Sequence, residues 1–420
     1  MTNLVGDVSS AARILPELNG EKLFIRNGKG AYLWDDRGRR YIDTALGFGA
    51  VLLGHANDAV NAQVAQALAD SASPSWAHVR EHGAATALAR HTGALTKVMF
   101  TNSGSEAVHL ACRAARAYTG RRKIAKMAAG FDGWFDDVSF GNVTSTEAGF
   151  QDGARPSTER TTLIRFNDFA DIERLFTEDP DVAAVLLEPM LANAGCIMPL
   201  PGYLQHVQDV AHRHGALVIC DEVLMGFRLF PGLAGLREGL DPDLASVGKA
   251  IGNGVPVSAV VGKPHVLAGF EEGRVTRGGT FSGNPLACAA VTSTLAQLDS
   301  QDYAGLIQRG DTLRNAIENR FAAQGIHVVT SGYGNVFGIW PGAGAPAAGA
   351  PSTYQQASSI ADPAFSSALH LALREAGVLV MPSPYGRLYL SFEHDDDVIE
   401  EMIAAFDTAA RRMSARFATR

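Results

Sequence analysis

Lys249 stands in Ala245-Ser246-Val247-Gly248-Lys249-Ala250-Ile251-Gly252-Asn253-Gly254, at the end of a short apolar run and among glycines that let other groups come close. Twenty-eight residues earlier, Asp221 ends the apolar run Leu217-Val218-Ile219-Cys220. A carboxylate leaving a buried strand is costly unless something cationic meets it. An amine and a carboxylate in these settings fit pyridoxal phosphate (PLP) chemistry. The lysine would form a Schiff base with the aldehyde, and the acid would hold the pyridine nitrogen protonated as an electron sink.

A phosphate needs donors, and Asn102-Ser103-Gly104-Ser105-Glu106-Ala107 supplies them at the start of a helix expected to run to about Tyr118. Backbone N–H groups at a helix N-terminus, a glycine permitting close approach and the Ser105 hydroxyl make an anion site. Ser103 and Glu106 are also spaced as a capping box, and one stretch can serve both ends. Thr280, in Arg277-Gly278-Gly279-Thr280-Phe281-Ser282-Gly283-Asn284-Pro285, is a second phosphate donor. There is no GxGxxG at a strand–helix turn and no GxxxxGK[ST], which argues against a dinucleotide or ATP site.

These residues need a scaffold. Apolar runs at Lys97–Thr101, Lys123–Met127, Val182–Glu188, Ala216–Asp221, Leu244–Val247 and Ser258–Val261 read as strands. Between them lie segments of helical period such as Gly202–His214. The alternation predicts an α/β domain with a mostly parallel sheet, which places ligands beyond the carboxyl ends of the strands, where Asp221 and Lys249 fall. The N-terminal stretch predicts two short strands, at Gly30–Asp35 and Arg40–Asp43, and a helix at Asp58–Asp70. After about residue 300 come a helix at Tyr303–Gln324, strands at His327–Thr330, Asn335–Trp340 and Arg387–Phe392, and a last helix after Asp395, Asp396 and Asp397. We divide the chain into an N-terminal segment (1–60), a large domain (61–295) and a small α+β domain (296–420). Gly342–Pro363, rich in Gly, Ala, Pro and Ser, reads as a surface loop.

The 420 residues carry 36 basic and 44 acidic side chains, a net charge of -8, and no basic block that would suggest nucleic acid or an anionic membrane as partner. Four scattered cysteines indicate neither a zinc cluster nor a disulfide framework and fit a reducing cytosol. The N-terminus lacks a signal-peptide profile, and no apolar run reaches membrane-spanning length. A small-molecule substrate and a cytoplasmic location are expected.

Phe100-Thr101-Asn102-Ser103-Gly104-Ser105-Glu106-Ala107, Leu187-Glu188-Pro189, Asp221-Glu222-Val223-Leu224-Met225-Gly226-Phe227-Arg228, Gly248-Lys249 and Gly279-Thr280-Phe281-Ser282-Gly283-Asn284-Pro285 together resemble the class III aminotransferases, of PLP fold type I. The branch most resembled holds glutamate-1-semialdehyde aminomutases and β-amino acid aminotransferases. The resemblance implies Lys249 as the Schiff-base lysine, Asp221 at the pyridine nitrogen, Val223 on one ring face, and Gly104 and Ser105 on the phosphate. It also implies a homodimer in which Thr280 reaches the neighbouring subunit's phosphate. Glu222 would stand behind the site, and Asn193 falls where the aminomutases have an asparagine near the cofactor. Arg13, in Gly6-Asp7-Val8-Ser9-Ser10-Ala11-Ala12-Arg13, corresponds to an arginine that holds the substrate carboxylate.

Four departures separate this chain from the aminomutases. Phe131-Asp132-Gly133 replaces the usual Tyr-His-Gly, so Phe131 can stack on the cofactor but cannot hydrogen-bond as tyrosine does. Phe48 replaces a pocket tryptophan. The stretch from Gly141 to Pro156 lacks the Gly-Ser-Gly of the gating loop, and Arg387 stands where the aminomutases have an acid. In related aminotransferases an arginine of this region binds carboxylate. The expectation is a PLP-dependent aminotransferase acting on a β- or ω-amino acid, with the aminomutase or an amino acid racemase or epimerase as alternatives. Phe48, Trp76, Phe131 and Trp134 are either an aromatic pocket or, more often for such residues, core.

Overall fold

The computed structural model describes residues 3–151, 153–342 and 349–418. In chain order its strands are β1 (Ile25–Lys29), β2 (Tyr32–Asp35), β3 (Arg40–Asp43), β4 (Lys97–Thr101), β5 (Lys123–Met127), β6 (Thr161–Ile164) and β7 (Val182–Leu187). Then follow β8 (Leu217–Glu222), β9 (Leu244–Val247), β10 (Ser258–Gly262), β11 (Val328–Tyr333), β12 (Val336–Pro341), β13 (Val378–Leu379) and β14 (Arg387–Tyr389). Seven of them form the central sheet in the order β4-β10-β9-β8-β7-β5-β6. Strands β9, β8, β7, β5 and β6 pair in parallel, and β10 runs antiparallel to both its neighbours. The α/β architecture with a mostly parallel sheet is therefore present.

All six residues of β7, Val-Ala-Ala-Val-Leu-Leu, are buried, as a central parallel strand covered on both faces requires. The six residues of β8 are buried too, although the last two are Asp221 and Glu222. The sheet thus delivers two acids into the interior at its carboxyl edge. The helix Gly104–Thr119 starts on a complete capping box from Ser103 and Glu106 and stops at Gly120, whose φ of 70° is the left-handed geometry glycine adopts without strain.

Chain ends meet in a second sheet, ordered β1-β2-β3-β13, in which β13 pairs with β3 in parallel, and β11, β12 and β14 form a third. The N-terminal segment thus shares a sheet with the C-terminal part. Sequence reading overlooked β1, β6 and β13, all short and without strong alternation. The Gly342–Pro363 loop needs correcting: residues 343–348 lie outside the described residues, but Tyr354–Ile360 is a helix started by the Thr353 side chain. Its Tyr354 and Ala357 are buried, and the Tyr354 hydroxyl accepts from the Thr144 N–H at 3.0 Å. No helix among the described residues is long and apolar enough to cross a membrane.

Candidate active site

Strand register brings the site together. Asp221 on β8 lies opposite Ser246 on β9, and Lys249 follows three residues later in a tight turn where its own φ is +45°. Left-handed backbone on a lysine is strained and is kept only where the surroundings over-determine it. Asn253 is one such constraint: its side chain accepts from the Leu53 N–H at 2.8 Å and donates to the Gly54 carbonyl at 3.1 Å. Gly248 is required for a different reason, since a side chain there would collide with the Ser258 hydroxyl of β10.

Asp221 is 5% exposed. Its Oδ1 accepts from the Ser246 hydroxyl at 2.8 Å and the Val223 N–H at 3.0 Å, while Oδ2 has no donor among the described residues. Burial, reinforced by Asp132, raises its pKa to about 7. Burial lowers Lys249 to about 8, with Arg387 pushing in the same direction and Asp221 opposing. A lysine that is partly neutral near physiological pH can act as nucleophile and base. Both groups sit where their ordinary charges are costly, so a bound cation beside Asp221 would relieve the acid.

Val223 connects this pair to the phosphate motif. A side-chain carbon on Gly104 would lie 2.9 Å from Val223, and one on Gly248 3.4 Å from it. Gly104 and Ser105 form the first turn of the 16-residue helix, with free N–H groups pointing outward, while Ser103 is occupied as its cap. The Ser105 hydroxyl also receives the Trp134 N–H at 3.3 Å. Anion donors at a helix N-terminus, an apolar side chain for one ring face, a carboxylate oxygen lacking a donor and an amine of lowered pKa fit PLP as a set.

The Phe131 N–H donates to Glu188 Oε1 at 3.1 Å, and its side chain is 44% exposed, open to a ring laid over it. Glu222 points away, taking the N–H groups of Ala234 and Gly235 at 3.0 and 2.6 Å, and so anchors the next helix behind the site. Asn193 accepts from Arg387 Nη2 at 2.6 Å, and Arg387 Nε donates to the Tyr389 hydroxyl. Arg387 is 8% exposed and pairs with no acid among the described residues, so it is no solvated strand residue. Phe48 is half-buried in a turn of residues 46–49.

Two residues stay apart from Lys249 and Asp221 within this chain, one of them, Thr280, expected to serve the neighbouring subunit's site. Arg13 is exposed on the short turn Ala11–Arg13 and makes no ion pair among the described residues. Thr280 is exposed in the loop bordering a cleft of about 620 Å³ lined by Glu81, Glu106, His109, Arg113 and Arg277, and no hydrogen bond ties it to Lys249. Trp76 and Trp134, 84% and 77% exposed, are not core.

Sequence reasoning assigned no role to Glu188, Asp132 and Lys126. Glu188 closes an apolar run as Asp221 does, and the same signal could have found it. Burial, with Asp132 and Asp221 nearby, pushes its pKa well up. Asp132 is raised by burial as well, against the pull of Lys126 at 3.2 Å. Lys126, wholly buried, donates to the carbonyls of Gly130 and Val138 and to Asn142, and so fixes the loop that carries Phe131.

This fold and this site define a PLP-dependent transferase of fold type I. Residues 17–408 match the family model Aminotransferase class-III, and the chain belongs to that family. It is 36% identical to glutamate-1-semialdehyde 2,1-aminomutase of Propionibacterium freudenreichii subsp. freudenreichii, over 97% of this chain and 93% of that protein. Among solved structures, a transaminase with PLP bound superposes with a TM-score of 0.85 at 26% identity, covering 98% of this chain and 95% of the other. The β-phenylalanine aminotransferase from Variovorax paradoxus gives 0.84 at 28% identity, covering 99% and 92%. The protein is thus a PLP-dependent class III enzyme.

Proposed function

We propose that the enzyme moves an amino group from a carboxylate-bearing donor, a β- or ω-amino acid, to a separate keto acid or aldehyde. The observation that carries this reading is Arg387: a buried guanidinium held by the neutral partners Asn193 and Tyr389, with no acid to satisfy it among the described residues. Such a group is ready for a substrate carboxylate. PLP, when bound, supplies an aldehyde carbon that condenses with amines and a ring that stabilises a carbanion.

The chain's own groups do the rest. Lys249 would hold the cofactor, and its amine would take the proton from the amine-bearing carbon of the donor as general base and give it back as general acid. Asp221, its carboxylate fixed by Ser246 and Val223, would hold the ring nitrogen in its charged form. The N–H groups and hydroxyl of Gly104 and Ser105 would hold the phosphate, Val223 and Phe131 would flank the ring, and Arg387 would orient the carboxylate of the acceptor. Arg13 is the proposed carboxylate partner for the donor. A second copy of the chain completes the site through Thr280, a reading supported by the exposure of Thr280 and Phe281 beside the cleft at Glu106. Four unpaired, buried cysteines support a cytoplasmic location.

The aminomutase is a second reading, favoured by the 36% identity over nearly the whole chain. Incubating holoenzyme with 3-amino-3-phenylpropanoate or an ω-amino acid and 2-oxoglutarate separates the two. Formation of glutamate supports intermolecular transfer. Turnover of glutamate 1-semialdehyde alone, with no transfer between molecules, assigns the aminomutase. Interconversion of the enantiomers of 3-amino-3-phenylpropanoate, with exchange of the proton on the amine-bearing carbon and no loss of nitrogen, assigns a racemase.

A further inference from the structure

Arg228 is fully buried, and no acid faces its charge among the described residues. Its Nε donates to the Leu224 carbonyl at 3.1 Å, its Nη2 to the Gly49 carbonyl, and the guanidinium lies 5.1 Å from the centroid of the Tyr389 ring. Nη1 is buried without an acceptor. An unpaired internal cation is costly, and apolar side chains of similar volume often replace such groups without loss of stability. Packing alone therefore does not account for it.

What Arg228 grips is unusual. Leu46, Gly47, Phe48 and Gly49 have φ values of 46°, 62°, 59° and 86°, four successive left-handed residues of which two are not glycine. Leucine and phenylalanine are strained there, and such strain persists only when neighbours impose it. Asp43 holds the start of the turn, Oδ1 accepting from the Ala45 N–H at 2.8 Å and Oδ2 from the Leu46 N–H at 3.0 Å, with His55 Nε2 2.8 Å from Oδ2. Arg228 holds the end. A side chain on Gly49 would lie 2.8 Å from Leu224, 3.0 Å from Arg228 and 3.1 Å from Tyr389, so the backbone is pressed against all three.

Leu46 and Val51 sink into an apolar cluster with Leu224, Met225 and Tyr389, whereas Phe48 between them stays half-open. The hydroxyl of the same Tyr389 receives Arg387 Nε. The strained turn and the carboxylate-binding arginine therefore share one anchor. We propose that Arg228 is a positioning residue for substrate selection: by clamping Gly49 and Tyr389 it holds Phe48 at a set distance from Arg387. Phe48 then measures the side chain of any donor or acceptor whose carboxylate Arg387 binds. The inference rests on the aminotransferase reading and deepens it.

The test uses holoenzyme and two unreactive carboxylates, 3-phenylpropanoate and butanoate, with Kd measured by calorimetry. The ratio of the two constants is the readout, together with the melting temperature. Phe48→Ala should change the wild-type ratio about tenfold while leaving butanoate within twofold. Arg228→Met and Arg228→Lys should each shift it at least fivefold in the same direction. An arginine that only packs would weaken both ligands alike or lower the melting temperature, and a ratio unchanged in the Arg228 variants overturns the proposal. Should Arg228→Met not fold, Arg228→Lys decides. Failure of the wild type to bind either carboxylate also overturns it, while the donor and acceptor incubation decides the aminotransferase reading separately.

Discussion

On the cofactor side, Asp221, Val223, Ser246 and Lys249 come from two adjacent strands of one sheet and the turns that follow them. On the proposed substrate side, Phe48, Asn193, Arg228 and Arg387 come from four segments that meet only in the folded chain, joined through Tyr389 and Gly49. The first group is fixed by backbone register and changes little without disturbing the sheet. The second is fixed by side-chain contacts between loops and short strands, so its geometry can be retuned with less cost to the core. The proposed roles put reaction type in the first region and selectivity in the second.

Substitutions on the cofactor side should therefore act equally on every substrate. Lys249→Ala removes both the attachment point and the base, and kcat should fall at least about 10³-fold for all donors, measured in single turnover. Asp221→Asn should lower kcat on the order of 10²-fold and weaken cofactor binding, the size of loss typical when one preorganised electrostatic partner is removed. A strong substrate dependence in either loss would break the division.

Substitutions on the substrate side should discriminate. Arg387→Met should cost about 2 kcal/mol or more in binding of a keto-acid acceptor, read as a KM raised roughly 30-fold, with aldehyde acceptors little affected. Gly104→Ala returns to the cofactor side at smaller scale: its methyl group would press on Val223, and cofactor affinity should drop roughly tenfold, consistent with about 1–3 kcal/mol for overpacking. The smallest effect concerns pH. With Lys249 at about 8, only its neutral amine attacks the aldehyde, so the rate of PLP uptake by the apoenzyme should rise roughly tenfold per pH unit below that value and level off above it. A rate that goes on rising tenfold per unit past pH 9 would contradict the lowered pKa.

Legibility in the sequence follows the same division. Strands β4, β5 and β9 begin and end where the apolar runs do, and the acid at the end of β8 and the lysine after β9 announce themselves by breaking apolar runs. Those signals are local. The link from Arg387 to Asn193 spans 194 positions, and that from Arg228 to Gly49 spans 179, so no periodicity could announce either. Arg228 was visible only as part of a motif, and its lack of an acidic partner is a property of the packed interior. The helix at Tyr354–Ile360 was hidden by a composition of small residues that usually marks loops, although Tyr354 is what docks it. Phe131-Asp132-Gly133 shows its aromatic ring in the sequence, while the burial of Asp132 against Lys126 of β5 exists only in the folded chain.

The central claim is that Lys249, opposite Asp221, is the residue that carries the cofactor. Borohydride reduction of PLP-saturated enzyme followed by peptide mapping tests it directly. A pyridoxyl group on Lys249 alone, absent from the Lys249→Ala protein, is the expected result. A pyridoxyl group on any other lysine, or on none in cofactor-saturated protein, would contradict it.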